Sequence, residues 1–159
     1  MGIVKDRISD SQNRPVVIKD CAALVDAEVA SKSGVTGMVI RTGYKAFKAI
    51  KPTIVETAVD ILLDDFATKL DGQYETWLRA HPKKDRPFDA WAKLRDAEIA
   101  DDLLKVTDAL MDRSNKNAIK KIYAGLRGIA KQHVASAVPA VARLIMKHVE
   151  PASATVQNG

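Results

Sequence analysis

The sequence predicts an all-α protein: one domain, built as a helical bundle of about seven or eight helices, some of them short. Three observations predict it. Apolar residues recur every three or four positions along most of the chain, the spacing of one helix face. Strict apolar–polar alternation, the mark of a half-buried strand, is almost absent. Hydrophobic residues make up 47% of the chain but aromatics only 5%. The core must therefore consist mainly of Ala, Val, Ile and Leu, which suits closely packed helices.

The elements follow in order. Ile3 to Ile8 carries a short helical pattern. Pro15 is placed to open a long helix, because the N–H it lacks would be unpaired in a first turn anyway. Val17, Cys21, Leu24, Val25 and Glu28 mark its turns, and Gly34 is placed to stop it. A second helix is expected from about Thr36 to Ala49, ended by Pro52. "TIVE", Thr53 to Glu56, reads as a capping box opening a third. Its stripe is Val55, Ala58, Val59, Leu62, Phe66 and Leu70. Asp71–Gly72 should interrupt that stripe, with a short helix through Tyr74, Trp77 and Leu78 beyond.

"HPKKDRP", His81 to Pro87, has two prolines and four charges, and is the clearest loop. Trp77 and Trp91 flank it and should pin it to the core. Phe88, Trp91 and Leu94 suggest a short return helix, and Ile99, Leu103, Val106 and Leu110 the next. Ser114 or Asn115 should cap the helix marked by Ile119, Ile122, Tyr123, Leu126, Ile129 and Ala130. Pro139 predicts a kink or a short break before Val141, Ala142, Ile145 and Val149. Residues 1–150 form the domain, and 151–159, small and polar, are expected to be a flexible tail.

The stretch "VASKSGVTGMVIRTGYKAFKAI" admits two readings. As a helix-turn-helix, Gly34 makes the turn and Thr36 caps a recognition helix. That helix would begin with Gly37, Met38 and Val39, which cannot read base edges, and would carry Gly43 in its middle. Its donors Arg41, Lys45 and Lys48 come late, as a basic stripe suited to phosphates or acidic groups. In the second reading Gly37 and Gly43 allow another helix or a ligand to approach the backbone closely. Met38, Val39, Ile40 and Phe47 then form a buried apolar face. The second reading accounts for the glycines better.

"KSGVTGMVIRTGYKAFKAIKP" followed by "IVETAVDILLDDF" resembles a family of small all-helical bacterial proteins of unassigned function. "LLKVTDAL" and "IKKIYAGLRGIAKQHV" extend the likeness over most of the chain. The resemblance implies an all-helical fold and a bacterial, cytoplasmic setting. It brings no catalytic residues with it.

The charge is +5 and the isoelectric point about 9.3, which favours anionic partners. It is unevenly spread. Glu56, Asp60, Asp64, Asp65, Asp71 and Glu75 face Lys69 alone, whereas Arg113 to Lys147 holds eight Lys or Arg and no carboxylate. Such segments can pair within a chain or between two copies.

Enzyme signatures are missing. Asp64–Asp65 and Asp101–Asp102 lack the further carboxylate a magnesium–diphosphate site needs one turn on. His81, His133 and His148 show no ligand spacing and read as surface residues. Cys21, the single cysteine, lies in an apolar run and reads as a small hydrophobe. No metal site and no cofactor are expected.

"MGIVKDRISD" lacks the apolar run of a secretory leader and misses the myristoylation pattern at Asp6. No stretch approaches a membrane span. A cytoplasmic, non-enzymatic helical interaction module that self-associates as a homodimer is the expectation. The alternatives are a nucleic-acid-binding protein using Arg41, Lys45 and Lys48, or a ligand- or lipid-binding domain with a pocket beside Gly37 and Gly43. An acidic protein or a nucleic acid is the partner class that the basic stripe suggests.

Overall fold

The computed structural model describes residues 2–150; the expected tail, 151–159, lies outside the described residues. Seven helices and no strand are found there, in a single all-α domain. They are α1 (Ile3–Ile8), α2 (Arg14–Ser31), α3 (Gly34–Ile50), α4 (Ile54–Ala80), α5 (Phe88–Lys93), α6 (Asp96–Arg113) and α7 (Asn117–Val149). α4 and α7 form the long axes. α1, α2 and α6 pack on α4, and α3, α5 and α6 pack on α7.

The interruption expected at Asp71–Gly72 does not occur. α4 runs through it for 27 residues, and the short helix expected through Tyr74 and Trp77 is its last part. Tertiary packing outweighs the poor helix propensity of one Asp–Gly pair. Asp71 is buried, and its carboxylate serves another helix. Its Oδ1 accepts the Val4 N–H at 2.7 Å, and the Lys5 N–H lies 3.2 Å from its Oδ2. These are orphan donors at the start of α1, so Asp71 caps α1 from across the fold.

Three terminus signals are not used as expected. Thr53 makes no side-chain cap to α4. α7 begins at Asn117 behind Lys116, and Ser114 Oγ accepts the Lys116 N–H outside the helix. α2 already ends at Ser31, so Gly34 does not stop it; with φ +76° it turns the chain into α3. Pro139 lies inside α7, which runs unbroken for 33 residues.

The core is concentrated at one side. Tyr74 and Trp77 of α4 meet Phe88 and Trp91 of α5, with neighbouring ring centroids 5.0–6.0 Å apart. The Trp77 Nε1–H donates to the Arg86 carbonyl at 2.7 Å and so ties the His81–Pro87 loop down. Val4, Ile8, Leu63, Leu70, Val138, Ile145 and Val149 belong to the same core.

The other side is thin. Every buried residue of α7 lies at Val138 or later, and the only buried residues of α3 are Gly37 and Gly43. The first two-thirds of α7 and nearly all of α3 therefore form a layer only half withdrawn from water.

Candidate functional site

Four of the large apolar residues exposed among the described residues lie on α3, and the others, Ile3, Val16, Ile61 and Leu94, are scattered over the rest of the fold. Val35 is 83% exposed, Met38 60%, Val39 42% and Ile50 46%. Val35, Met38, Val39 and Thr42 are spaced i, i+3, i+4 and i+7, so they form one stripe along the outside of α3. The buried face expected at Met38 and Val39 is thus corrected: both side chains point to water, while Ile40 and Phe47 are half buried.

The glycines explain this orientation. A Cβ on Gly37 would stand 2.8 Å from the Lys32 carbonyl carbon, and one on Gly43 would stand 2.7 Å from Leu126 Cδ1. Both contacts are closer than real side chains allow. Gly37 therefore seats α3 against the α2–α3 turn, and Gly43 seats it against α7. With the glycines turned inward, the larger residues of the stripe are left outside.

α3 and α7 run antiparallel. His133 Nε2 meets Thr36 Oγ1 at 3.1 Å, and seven residues further along α3, Gly43 meets Leu126, seven residues back along α7. Continuing the register sets Ile50 level with Ile119. Gly125 and Gly128 are exposed on α7, and a Cβ at either would meet nothing within 4 Å.

The basic residues singled out in the sequence do not act together. The Arg41 guanidinium donates to the Lys32 carbonyl and so closes the α2–α3 turn. Lys48 pairs with Asp26 at 3.0 Å and lies over the Tyr44 ring. Tyr44 donates to the same carboxylate, and that hydrogen bond, then Lys48, holds Asp26 below the ordinary carboxylate range. Lys45 has neither an ion-pair partner nor a hydrogen-bond partner for its side chain among the described residues, and is exposed.

Lys32 is the residue that sequence reasoning missed. Its side chain is only 11% exposed. Its Nζ reaches Ser136 Oγ at 2.8 Å, the His133 carbonyl at 3.4 Å and Glu28 at 3.5 Å. It locks the α2–α3 corner to α7, and no local pattern announces it. Burial, then Lys32, pushes the His133 pKa down.

Among the described residues half of the basic segment's cations form ion pairs within the chain, none of them with the acidic segment. From α7, Arg127 meets Asp108 at 2.9 Å, Lys131 meets Asp101 at 3.0 Å, and Lys147 meets Asp20 at 2.9 Å. Asp60 and Asp64 of α4 meet Arg14 instead. Asp102 accepts from Gln73, so the paired aspartates of α4 and α6 are divided among unrelated contacts. The histidines are less exposed than expected: His148 Nε2 lies 2.8 Å from Asp20 and its side chain is 12% exposed. Burial pushes the Cys21 thiol up to about 11, which leaves little thiolate at neutral pH.

Two surface grooves lie elsewhere. One runs between α1 and α4 past Asp6, Asp10, Asp71 and Glu75, the other between α2 and α4 past Pro15, Ile18 and Glu56. Neither borders Gly37 or Gly43. Among the described residues no group of three or more His, Cys, Asp or Glu is placed to hold a metal ion, and no helix is long and apolar enough to cross a membrane.

No curated protein and no solved structure matches the chain. A family model described as a family of unknown function, DUF6918, matches residues 4–149. That span takes in all seven helices but for the first residue of α1, and the chain belongs to this family of unknown function.

Proposed function

We propose that the protein is a non-enzymatic interaction module that docks onto a partner through the outward face of α3, in the bacterial cytoplasmic setting suggested by the sequence. One observation carries the reading: α3 turns its glycines inward and Val35, Met38 and Val39 outward. A helix normally does the reverse, because each buried aliphatic side chain contributes roughly 1.5–3 kcal/mol. An apolar stripe held out by close packing behind it marks an interaction surface.

Self-association is the narrower form of this reading. α3 carries the exposed Val35–Met38 ridge and α7 the open Gly125 and Gly128 positions, a ridge and a shelf that a second copy could cover around a two-fold axis. Against it stands charge, since neither α3 nor α7 has a carboxylate. The nucleic-acid reading has less support, because Arg41 and Lys48 are engaged within the chain.

Replacing Val35 and Met38 together by Ser tests the docking reading. Both are exposed, so the melting midpoint should stay near that of the parent, with a change within about 0.5 kcal/mol, while binding of an apolar fluorescent dye falls. A large loss of stability would show that these side chains are core. Light scattering over a range of concentrations tests the narrower form: a mass near 17.3 kDa throughout removes it.

A further inference from the structure

We infer that the occupant of the α3 face is an anionic lipid bilayer surface; the inference rests on the docking reading above. α3 and α7 contribute no carboxylate to the layer they form. Lys45 lies at the edge of the apolar stripe. The antiparallel register brings the end of α3, with Lys51, level with the start of α7, with Lys120 and Lys121. None of these four has an ion-pair partner among the described residues. The other cations of the two helices, Arg143 with Asp89 among them, are turned to carboxylates on α2, α5 and α6 or, for Arg41, to a backbone carbonyl. What remains is an apolar ridge on α3 with the unpaired Lys45 at its edge, and unpaired lysines at the end of the α3–α7 layer.

That combination selects among occupants. A second copy on a two-fold axis would bring two sets of unpaired lysines together with no carboxylate from either helix to meet them. A nucleic acid would meet the lysines but leave Val35, Met38 and Val39 against phosphate and water, whereas such interfaces are polar. A bilayer surface with acidic headgroups satisfies both features. The aliphatic side chains enter the boundary of headgroups and acyl chains, and the lysines reach the phosphates alongside. α3 then lies in the membrane plane, still held by Gly43 against α7.

The test is co-sedimentation of the full chain with vesicles. Vesicles of phosphatidylcholine alone are compared with vesicles of phosphatidylcholine and phosphatidylglycerol in equal parts. The protein should pellet with the anionic vesicles and stay in solution with the neutral ones, and added salt should release it. Lys45→Gln should weaken partitioning about fivefold, the change corresponding to about 1 kcal/mol per basic residue near the surface. The double substitution of Val35 and Met38 by Ser should abolish pelleting.

Failure to pellet with anionic vesicles overturns the inference. So does pelleting that is sensitive to salt but indifferent to the double substitution, which would be charge adsorption alone. A doubled mass in solution, lost in the double variant and unaccompanied by pelleting, would assign the face to a second copy. In each case a double variant that melts like the parent and binds less dye leaves the docking reading intact. A double variant that unfolds removes both.

Discussion

Asp71 Oδ1 on α4 accepts the backbone N–H of Val4, at the start of α1, over 2.7 Å. The two residues are 67 positions apart in the chain, so this contact ties the beginning of the described chain to the long helix α4. Gly2 packs against the same carboxylate: a Cβ there would stand 1.8 Å from Asp71 Cγ. Asp71→Ala should therefore cost about 1–3 kcal/mol, the penalty of leaving buried donors unpaired. Asp71→Asn keeps an acceptor and should cost less. Gly2→Ala should displace the cap and behave like Asp71→Ala. Urea denaturation of the three variants checks the order; an Asp71→Ala protein as stable as the parent would show that α1 needs no cap from α4.

Gly43 and Leu126 should be energetically coupled. Gly43→Leu overpacks the α3–α7 contact and should cost about 1–3 kcal/mol. Leu126→Ala removes the side chain that a new Cβ would strike, so the double variant should recover part of that loss. Additive losses in thermal melts would mean that the two residues do not meet in solution.

Gly72 behaves oppositely. It lies within α4, and a Cβ there meets nothing within 4 Å. Gly72→Ala should raise stability by up to about 1 kcal/mol, because Ala loses less backbone freedom in a helix. Gly125→Ala in α7 should do the same. A lowered melting midpoint for Gly72→Ala would contradict the unbroken course of α4.

Acid should weaken the fold. Lys147, then His148, holds Asp20 below its ordinary pKa; Tyr44 and Lys48 do so for Asp26, and Arg127 and Tyr123 for Asp108. Each of these carboxylates is lower in the folded than in the unfolded chain, so its contribution is present above the ordinary carboxylate range and lost as pH falls through it. His133, pushed down mainly by burial, adds a loss that begins nearer neutrality, as pH falls below the ordinary histidine value. Asp71 works the other way. Burial raises its pKa against the pull of the Val4 and Lys5 N–H groups, so protonation relieves part of its cost. Urea midpoints measured from neutral to acid pH should fall, and Asp71→Asn should fall more steeply than the parent. A flat profile would show that the three ion-paired carboxylates contribute nothing to stability.

Helix periodicity was sufficient for the fold class, and local composition for the His81–Pro87 loop and for Trp77, which holds it, because these depend on which residues lie close together in the chain. The family resemblance, too, was legible along the stretches that carry it. Helix boundaries were less so. Asp71–Gly72 and Pro139 are local breakers, yet α4 and α7 continue through them, since packing along a long helix outweighs one unfavourable position. The site shows the same division. Gly37 and Gly43 stood out in the sequence as places of close approach, but only the tertiary structure showed what approaches them: the Lys32 backbone and Leu126. With the glycines inside, Val35, Met38 and Val39 must lie outside. Arg41, Lys45 and Lys48 share spacing but not surroundings, because Asp26 and the Lys32 carbonyl come from α2 and the turn after it and take two of the three. Periodicity specifies which residues share a helix face; the direction that face points is decided by what packs behind it.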